Sequence, residues 1–244
     1  MRARIPASAA ARWLAAGVGA GVGTYTAWAG LEWARYGHPP PASDDDADPL
    51  LDTVMPAYDV VERQRIRIEA PPAVTLAAAR EMDLLQLPLA RAIFAARAWV
   101  LGATGDGRPR PRGLMADVLA LGWRVVAEIP DREVVVAAVT RPWEPNPRFT
   151  GLDLDAFRGC AAPESVKIAW TLRVDPTDDG ASIFRTETRA VATDDAGRRR
   201  FRPYWALAAP GIRVIRRLSL APLKGDAERR ARLLRPPAVQ AVGP

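Results

Sequence analysis

Two stretches in the C-terminal half of the chain alternate between apolar and polar side chains. They lie at residues 166–174 and 183–191, and a period of two is typical of a β-strand with one buried face. The segment between them contains Asp175, Pro176 and Gly180, three residue types that favour tight turns. The pattern therefore predicts an antiparallel hairpin formed by these two strands.

The same kind of pattern predicts the elements upstream of that hairpin. A first strand is expected at 58–69, where apolar residues alternate with arginines. Helical spacing follows at 74–101, with a break at Pro88 because proline cannot continue the hydrogen bonding of a helix interior. The remaining predictions, in chain order, are a short helix at 114–121, a hairpin of strands at 123–129 and 133–140, and one helical turn at 151–157.

A long helix is expected after the closing hairpin. Asp194 and Asp195 are candidate N-caps, because a short acidic side chain can accept hydrogen bonds from the first free N–H groups of a helix. Apolar residues recur at helical spacing beyond them. Pro203 and Pro210 are expected to kink this helix or to split it in two.

The beginning of the chain predicts a membrane anchor at residues 1–36. Residues 13–31 carry no charge and would form a helix about 28 Å long, close to the hydrocarbon thickness of a bilayer. Arginines precede this run, so the positive-inside rule places the following domain outside the cytoplasm. Two alternatives stay open: a signal peptide cleaved after the small residues Ala27 and Ala29, and a helix that does not enter a membrane.

Residues 37–49 are rich in proline and aspartate. This composition predicts a polar linker that contributes nothing to a core. The folded domain is therefore expected to span residues 50–235, and residues 236–244 are expected to form a disordered tail.

The net charge and the scarcity of cysteine and histidine limit the kinds of site that this protein can form. The chain has a formal net charge of +6. The region from residue 197 onward carries about +10, because it contains eleven arginines and one lysine but only two acidic residues. Cys160 is the only cysteine and His38 the only histidine. Internal disulfides and thiolate metal clusters are thus excluded, and most hydrolase and metalloenzyme mechanisms are disfavoured. We expect no metal site and no cofactor.

The order of elements resembles a known superfamily. A strand, a helical segment, a run of antiparallel strands and a long terminal helix follow one another, ending with residues 184–189 and 201–218. In this order the chain resembles the SRPBCC superfamily of START, polyketide cyclase and plant allergen-like proteins, over roughly residues 50–235. The resemblance implies an α+β helix-grip fold, in which a curved antiparallel sheet wraps around a long C-terminal helix. It also implies a cavity between sheet and helix for an apolar or amphipathic small molecule.

One face of each predicted strand and the terminal helix would line such a cavity. The expected lining consists of Val125, Ala127, Val135, Ala137, Val139, Ile168, Trp170, Leu172, Phe184, Thr186, Thr188, Trp205, Ile212 and Ile215. The alternative is that these residues fill an ordinary core and leave no cavity.

Three charged residues alternate along the last predicted strand. Arg185, Glu187 and Arg189 are interpreted first as a surface ladder, in which each ion pair contributes about 0.2–1 kcal/mol. In the alternative, the strand turns this face to the cavity, where Glu187 acts as a catalytic base and the arginines hold an anion. The opposite face, with Phe184 and two threonines, is the more apolar one, which favours an outward Glu187.

The basic terminal region has two further interpretations. Arginines interleaved with aromatic residues suit an anionic membrane surface, and they also occur on ordinary solvated helices. The candidate membrane-surface residues are Arg198, Arg199, Arg200, Arg202, Arg213, Arg216 and Arg217. No nucleic-acid-binding motif is present, so a nucleic-acid partner is not expected.

These observations favour a membrane-tethered binding protein for a hydrophobic or amphipathic small molecule over an enzyme. One alternative is a cyclase or isomerase type of enzyme that uses Glu187 and the neighbouring arginines. The other is an envelope interaction module that docks through its basic C-terminal helix.

Overall fold

The computed structural model describes residues 7–104 and 111–234, and the side chains of these residues except 7–18 and 20. The helices are α1 (Ala7–Arg35), α2 (Pro49–Val54), α3 (Pro72–Glu81), α4 (Pro88–Leu101), α5 (Leu114–Ala120), α6 (Leu154–Gly159) and α7 (Asp195–Leu234), with 3₁₀ turns at Asp44–Asp46 and Leu84–Gln86. The strands are β1 (Val60–Ile68), β2 (Arg124–Ile129), β3 (Glu133–Thr140), β4 (Phe149–Thr150), β5 (Val166–Pro176) and β6 (Ser182–Ala192).

The strands form one curved antiparallel sheet. Its order is β1-β6-β5-β3-β2, and β4 pairs with β3. The predicted closing hairpin is confirmed, with Val174 opposite Phe184 and Val166 opposite Ala192. The predicted first strand, the β2–β3 hairpin and the break at Pro88 are confirmed as well. The α+β class and the long C-terminal helix were therefore predictable from the sequence, the strands from alternation and the helix from helical spacing.

The inner face of the sheet, defined as the face toward α3 and α7, carries the main core. Phe184, Leu172 and Val136 are buried there together with Leu220 and Leu223 of α7. Along β1, β5 and β6 the inner side chains have even numbers, as the strand period requires. The odd-numbered side chains point to the outer face, which α2 and α6 cover.

Strand β3 is buried on both faces. Val134 and Val136 belong to the inner core, whereas Val135, Ala137 and Val139 pack on the outer side against residues of α2 and α6. The sequence analysis placed these three residues on the cavity side together with Phe184. That assignment was wrong by one residue in register, because a strand that is apolar on both sides shows no alternation from which its parity can be read.

The C-terminal end of α1 packs against α7. The rings of Tyr36 and Phe201 meet edge to face, with centroids 5.8 Å apart, and the Tyr36 hydroxyl donates a hydrogen bond to Asp59 at 3.1 Å. Burial and the Asp59 carboxylate raise the pKa of Tyr36 well above its ordinary value. This end of α1 is therefore bound to the folded domain. Across the described residues, no helix combines the length and the mean hydropathy that crossing a bilayer requires.

Residues 37–49 lie on the sheet, in contrast to the free linker that their composition suggested. The Gly37 N–H donates to the Asp59 carbonyl at 2.9 Å, and the Ala47 carbonyl accepts from Arg173 at 2.7 Å. Asp48 is buried and caps α2 through the Leu51 N–H at 2.8 Å. The expected domain start at residue 50 is therefore too late. The tail at 236–244 lies outside the described residues.

Helix α7 begins where the sequence predicted. The Asp194 side chain accepts from the Glu164 N–H at 2.9 Å and from the Gly197 N–H at 2.6 Å, and these two backbone hydrogen bonds hold the pKa of Asp194 below its usual value. The helix then continues through Pro203 and Pro210 as one element. It does so because packing against the sheet and α1 supplies the stability that each proline removes.

Candidate functional site

An apolar cavity lies beside the sheet, between α4, α5, the Leu84–Gln86 turn and the β2–β4 region. Its volume is about 300 Å³. Its lining residues are Met82, Asp83, Leu84, Leu85, Phe94, Pro111, Arg112, Gly113, Leu114, Asp117, Val118, Leu121, Trp123 and Phe149. A cavity of this composition holds an apolar body by surface contact, because most of its wall is aliphatic or aromatic.

An aromatic wall gives this cavity its shape. The rings of Trp123 and Phe149 stack with centroids 5.1 Å apart, and Trp123 meets Trp170 of the core edge to face at 6.3 Å. Gly122 makes this approach possible: its φ is +103°, and a Cβ there would collide with the Phe149 carbonyl oxygen. The turn that joins α5 to β2 therefore fixes Trp123 against the core.

Three ionisable side chains line the cavity: Asp83, Arg112 and Asp117. The Asp83 side chain accepts from the Leu85 N–H at 2.9 Å and from the Gln86 amide at 3.1 Å, so it holds the 3₁₀ turn in place. Arg112 is exposed. Asp83 thus has a structural role in the turn, and the apolar wall is the part of the cavity suited to holding a ligand.

The outer side of α4 is an exposed apolar surface. Trp99 is 84% exposed and Val100 is 69% exposed, and Leu89 and Phe94 are also exposed. Phe94 belongs to the cavity lining as well, so the cavity and this surface adjoin. Arg97 ties α4 to the rest of the domain through a 2.9 Å hydrogen bond to the Pro142 carbonyl. Large exposed apolar residues on one helix indicate an interaction surface.

The sequence-predicted pocket residues lie elsewhere. Trp170, Leu172 and Phe184 are buried in the inner core, and Trp205 packs with Phe201 and Tyr36. Ala127 lies on the outer side of the sheet. None of the fourteen predicted residues is among those that line the cavity described above. The sequence signals for that cavity are weak: they are the leucines Leu84, Leu85 and Leu87, and two aromatic residues, Trp123 just before β2 and Phe149 at the start of β4.

Two predicted surface arginines point inward from α7. Arg213 donates to Glu62 at 2.9 Å and to Glu32 at 2.8 Å, and these acidic partners raise its pKa. Arg216 donates to the hydroxyls of Thr186, at 2.7 Å, and Thr188. Burial lowers the pKa of Arg216 to about 10. Thr186 and Thr188, which were expected to line a cavity, thus bind a guanidinium.

The other predicted surface arginines divide into paired and exposed ones. Arg198 forms an ion pair with Asp59 at 3.3 Å, and Arg200 forms one with Glu164 at 3.4 Å. Arg202 lies over the Trp33 ring, with its guanidinium carbon 4.5 Å from the ring centroid. Arg199 and Arg217 are exposed. The seven arginines therefore do not form one continuous basic stripe.

Glu187 and Arg189 are buried on the outer face. Glu187 accepts from Arg63 at 2.9 Å and from Arg189 at 2.7 Å. Arg189 also donates to Asp52 at 2.6 Å and to the Met55 carbonyl at 2.8 Å. These residues do not form the exposed ladder expected from the sequence, because α2 covers them. Glu187 also points away from Phe184, so the condition for its catalytic role, a shared cavity, is not met.

Two acidic residues lie close together on the same outer side of the sheet as Glu187 and Arg189. Glu133 of β3 and Asp48 are both buried, and the Thr171 hydroxyl donates to Glu133 at 3.1 Å. Burial, followed by the hydrogen bond and charge of Asp48, raises the pKa of Glu133 to about 8. The raised pKa favours the protonated form of Glu133 at neutral pH. Its contact with Asp48 joins residues 37–49, which we call the covering segment, to the sheet.

Comparisons with known proteins give limited information. No protein-family model matches the chain, and no curated protein is similar to it. Among solved structures it is similar to protein CV1439 from Chromobacterium violaceum, with 13% identity over 69% of this chain and 97% of that chain and a TM-score of 0.28. Hypothetical protein jhp0584 from Helicobacter pylori is 8% identical over 77% and 99%, with a TM-score of 0.37. Mll3558 from Rhizobium loti is 13% identical over 64% and 95%, with a TM-score of 0.26. With scores this low, the likenesses carry no argument about function.

Proposed function

We propose that this protein binds an apolar or amphipathic small molecule in the cavity between α4, α5 and the aromatic wall of Trp123 and Phe149. The observation that carries the proposal is the cavity itself, which has a volume of about 300 Å³ and a mostly apolar lining. Small-molecule sites range from about 300 to 1,000 Å³ and are lined in this way. Arg112 at the rim suits a ligand with a polar or anionic end.

The proposal includes the helix-grip interpretation of the fold. Helix α7 packs on the inner face through Leu220 and Leu223, which is the arrangement expected of an SRPBCC-like domain. In this protein the space between sheet and helix is occupied by core side chains and by Arg216. The ligand site is therefore assigned to the neighbouring α4–α5 side.

We also propose that the ligand enters from a membrane surface. Trp99, Val100 and Phe94 expose an apolar side of α4 next to the cavity, and tryptophan favours the interface between water and lipid. The uncharged run at 13–31 belongs to α1 and adds a second apolar element. Together these features support a protein that takes up a lipid-like molecule where lipids are present.

Leu121→Trp is expected to block ligand binding by filling the mouth of the cavity. The purified full-length protein is titrated with N-phenyl-1-naphthylamine, an uncharged apolar dye whose fluorescence rises in apolar sites. Leu121→Trp should weaken dye binding at least tenfold. Leu119→Trp is the matched control, because Leu119 is an exposed residue of α5, two positions before Leu121, and does not line the cavity.

Equal dye binding by both variants and the unmodified protein would contradict the cavity assignment. Mass spectrometry of solvent extracts from the purified protein, compared with a mock purification, then identifies the natural ligand class. An enriched lipid, quinone or polyketide that is missing from Leu121→Trp preparations is the expected result.

The double variant Trp99→Ala/Val100→Ala is expected to lose membrane association. We expect at least a fivefold decrease in co-sedimentation with vesicles of mixed zwitterionic and anionic phospholipid, because large exposed apolar side chains drive interfacial binding. Leu233→Ala/Leu234→Ala is the control, since these residues of α7 are 80% and 70% exposed and lie away from α4. Undiminished sedimentation of the α4 variant would refute this surface.

A further inference from the structure

Three arginines lie in directly paired positions across three adjacent strands. Arg65 of β1 is opposite Arg185 of β6, and Arg185 is opposite Arg173 of β5. We call these three residues the arginine row. Like charges in directly opposed positions of a sheet are destabilising. A row of three guanidiniums on one face therefore needs an anion to compensate it.

The strands of the sheet supply only part of the negative charge that the three arginines need. Asp175 uses one carboxylate oxygen for Arg173, at 2.9 Å, and the other for Arg185, at 2.8 Å. Within the described part of the chain, the carboxylates paired with Arg65 come from the turn at Asp44–Asp46 and not from a sheet strand. The Nη1 atom of Arg185 is buried and makes no hydrogen bond. Arg173 has an acceptor at each of its three nitrogens, from Asp175 and the Ala47 carbonyl. Arg65 and the Nη1 atom of Arg185 are the members of the row with fewer acceptors than a five-donor guanidinium can use.

The acidic turn Asp44–Asp46 lies over the row but holds it weakly. Asp45 is 3.4 Å from Arg65, and Asp46 is 3.7 Å from Arg65 and 3.9 Å from Arg185. Charge-assisted hydrogen bonds of good geometry are about 2.7–2.9 Å long, so these are loose ion pairs. The Asp45 side chain is 75% exposed and that of Arg65 is 52% exposed, and pairs with such exposure contribute little.

A small cavity remains beneath the turn. It has a volume of about 20 Å³, enough for about one water molecule. The three arginines of the row line it, together with Arg63 and the carboxylates of Asp46, Asp48 and Glu187. The carboxylate of Asp46 thus lies at the entrance to a space that is bordered by the arginine row. A tetrahedral oxyanion needs the turn to move away before it can reach all three guanidiniums.

We propose that the arginine row is a binding site for a phosphate-type dianion, and that the turn Asp44–Asp46 occupies it as an intramolecular competitor. Phosphate oxygens accept bidentate hydrogen bonds from guanidinium groups, and they would supply acceptors to Arg65 and to the free Nη1 of Arg185. The carboxylates of the turn mimic this anion with one long hydrogen bond, from Arg65 to Asp45 at 3.4 Å, and with looser ion pairs from Asp46. The site lies on the outer face and is independent of the apolar cavity.

The test measures the affinity of the full-length protein for inorganic phosphate by isothermal titration calorimetry at pH 8. Asp45→Asn/Asp46→Asn should bind phosphate at least tenfold more tightly than the unmodified protein, because the competitor has lost its charge. Asp155→Asn/Asp178→Asn removes the same charge from two exposed positions and should leave the affinity unchanged. Adding Arg65→Gln to the Asn pair should abolish the gain, and since Arg65 is half-exposed this variant should fold.

Either of two results would overturn the proposal. One is equal phosphate affinity in the Asp45→Asn/Asp46→Asn protein and in its control. The other is binding that Arg65→Gln leaves intact. Vesicles that contain phosphatidic acid identify the source of the anion: capture that inorganic phosphate reverses indicates a lipid headgroup, and phosphate binding without capture indicates a free anion. Both of these results support the site.

Discussion

Replacing Arg213 by methionine is expected to lower the free energy of unfolding by about 3–5 kcal/mol. The guanidinium of Arg213 lies between Glu62 and Glu32 and over the Trp28 ring, 5.5 Å from its centroid. Both carboxylates are almost completely buried. Methionine fills much of the same volume, but it leaves two buried negative charges without a partner, and such charges are costly.

Urea denaturation followed by circular dichroism measures this loss. Arg217→Met is the matched control, because Arg217 lies one helical turn further along α7 and is exposed, so its stability change should stay within about 0.5 kcal/mol. Adding Glu62→Gln to Arg213→Met should recover part of the loss by removing one of the unpaired charges. A change below about 1 kcal/mol in Arg213→Met would show that solvent reaches these carboxylates.

The same pair of contacts determines where the folded domain begins. Arg213 connects α7 to Glu32 of α1 and to Glu62 of β1, so α1 is held by the interior of the domain. Arg213→Met should therefore also release the end of α1, and limited trypsin digestion should cut at Arg35 faster than in the Arg217→Met control. An unchanged rate of cleavage at Arg35 would show that α1 stays packed on the domain without the ion pairs of Arg213.

Alternation in β1, β5 and β6 explains why much of the fold was readable from the sequence. In these strands the charged residues other than Glu62 occupy the outer positions, whereas Phe184 and Ile68 occupy inner ones, so the period of two is visible. Strand β3 shows the limit of this approach. Its apolar residues pack into the cores on both faces of the sheet. The face to which each residue points is therefore set by tertiary packing and not by a visible alternation.

The covering segment and the cavity were missed for a different reason. Asp45, Asp46 and Asp48 resemble a solvated linker because composition reports average exposure. Asp45 nevertheless pairs with Arg65 and Asp46 with Arg185, both distant in the sequence, and Asp48 lies against Glu133. Long-range charge pairing leaves no local periodicity. The apolar cavity is likewise assembled from short segments around Trp123 and Phe149, whose proximity depends on the turn at Gly122.

Glu133→Gln is expected to remove a pH-dependent loss of stability. Glu133 is protonated in the folded protein up to about pH 8, whereas the unfolded chain releases this proton near its ordinary pKa of 4.5. Between these values the folded state binds more protons, so stability falls as the pH rises. The stabilising contribution is complete below pH 4.5 and disappears as the pH passes through about 8.

The groups around Glu133 explain the direction of the shift and the choice of variant. Burial and Asp48 favour the protonated form, whereas the Thr171 hydroxyl and Arg173 oppose it. Glutamine keeps an acceptor for Thr171 and supplies an N–H to Asp48 at every pH. The variant should therefore be more stable than the unmodified protein at pH 9, and this difference should shrink or reverse at pH 5.

Urea unfolding at pH 5, 7 and 9 measures this effect. The difference in stability between Glu133→Gln and the unmodified protein should change by at least about 2 kcal/mol across this range, since each unit of pKa shift corresponds to about 1.4 kcal/mol. Glu144→Gln is the control, because the Glu144 side chain is 41% exposed and its removal should not alter the pH profile. Parallel profiles for Glu133→Gln and the unmodified protein would show that Glu133 is ionised in the folded state, and that the covering segment is then held by its arginine contacts alone.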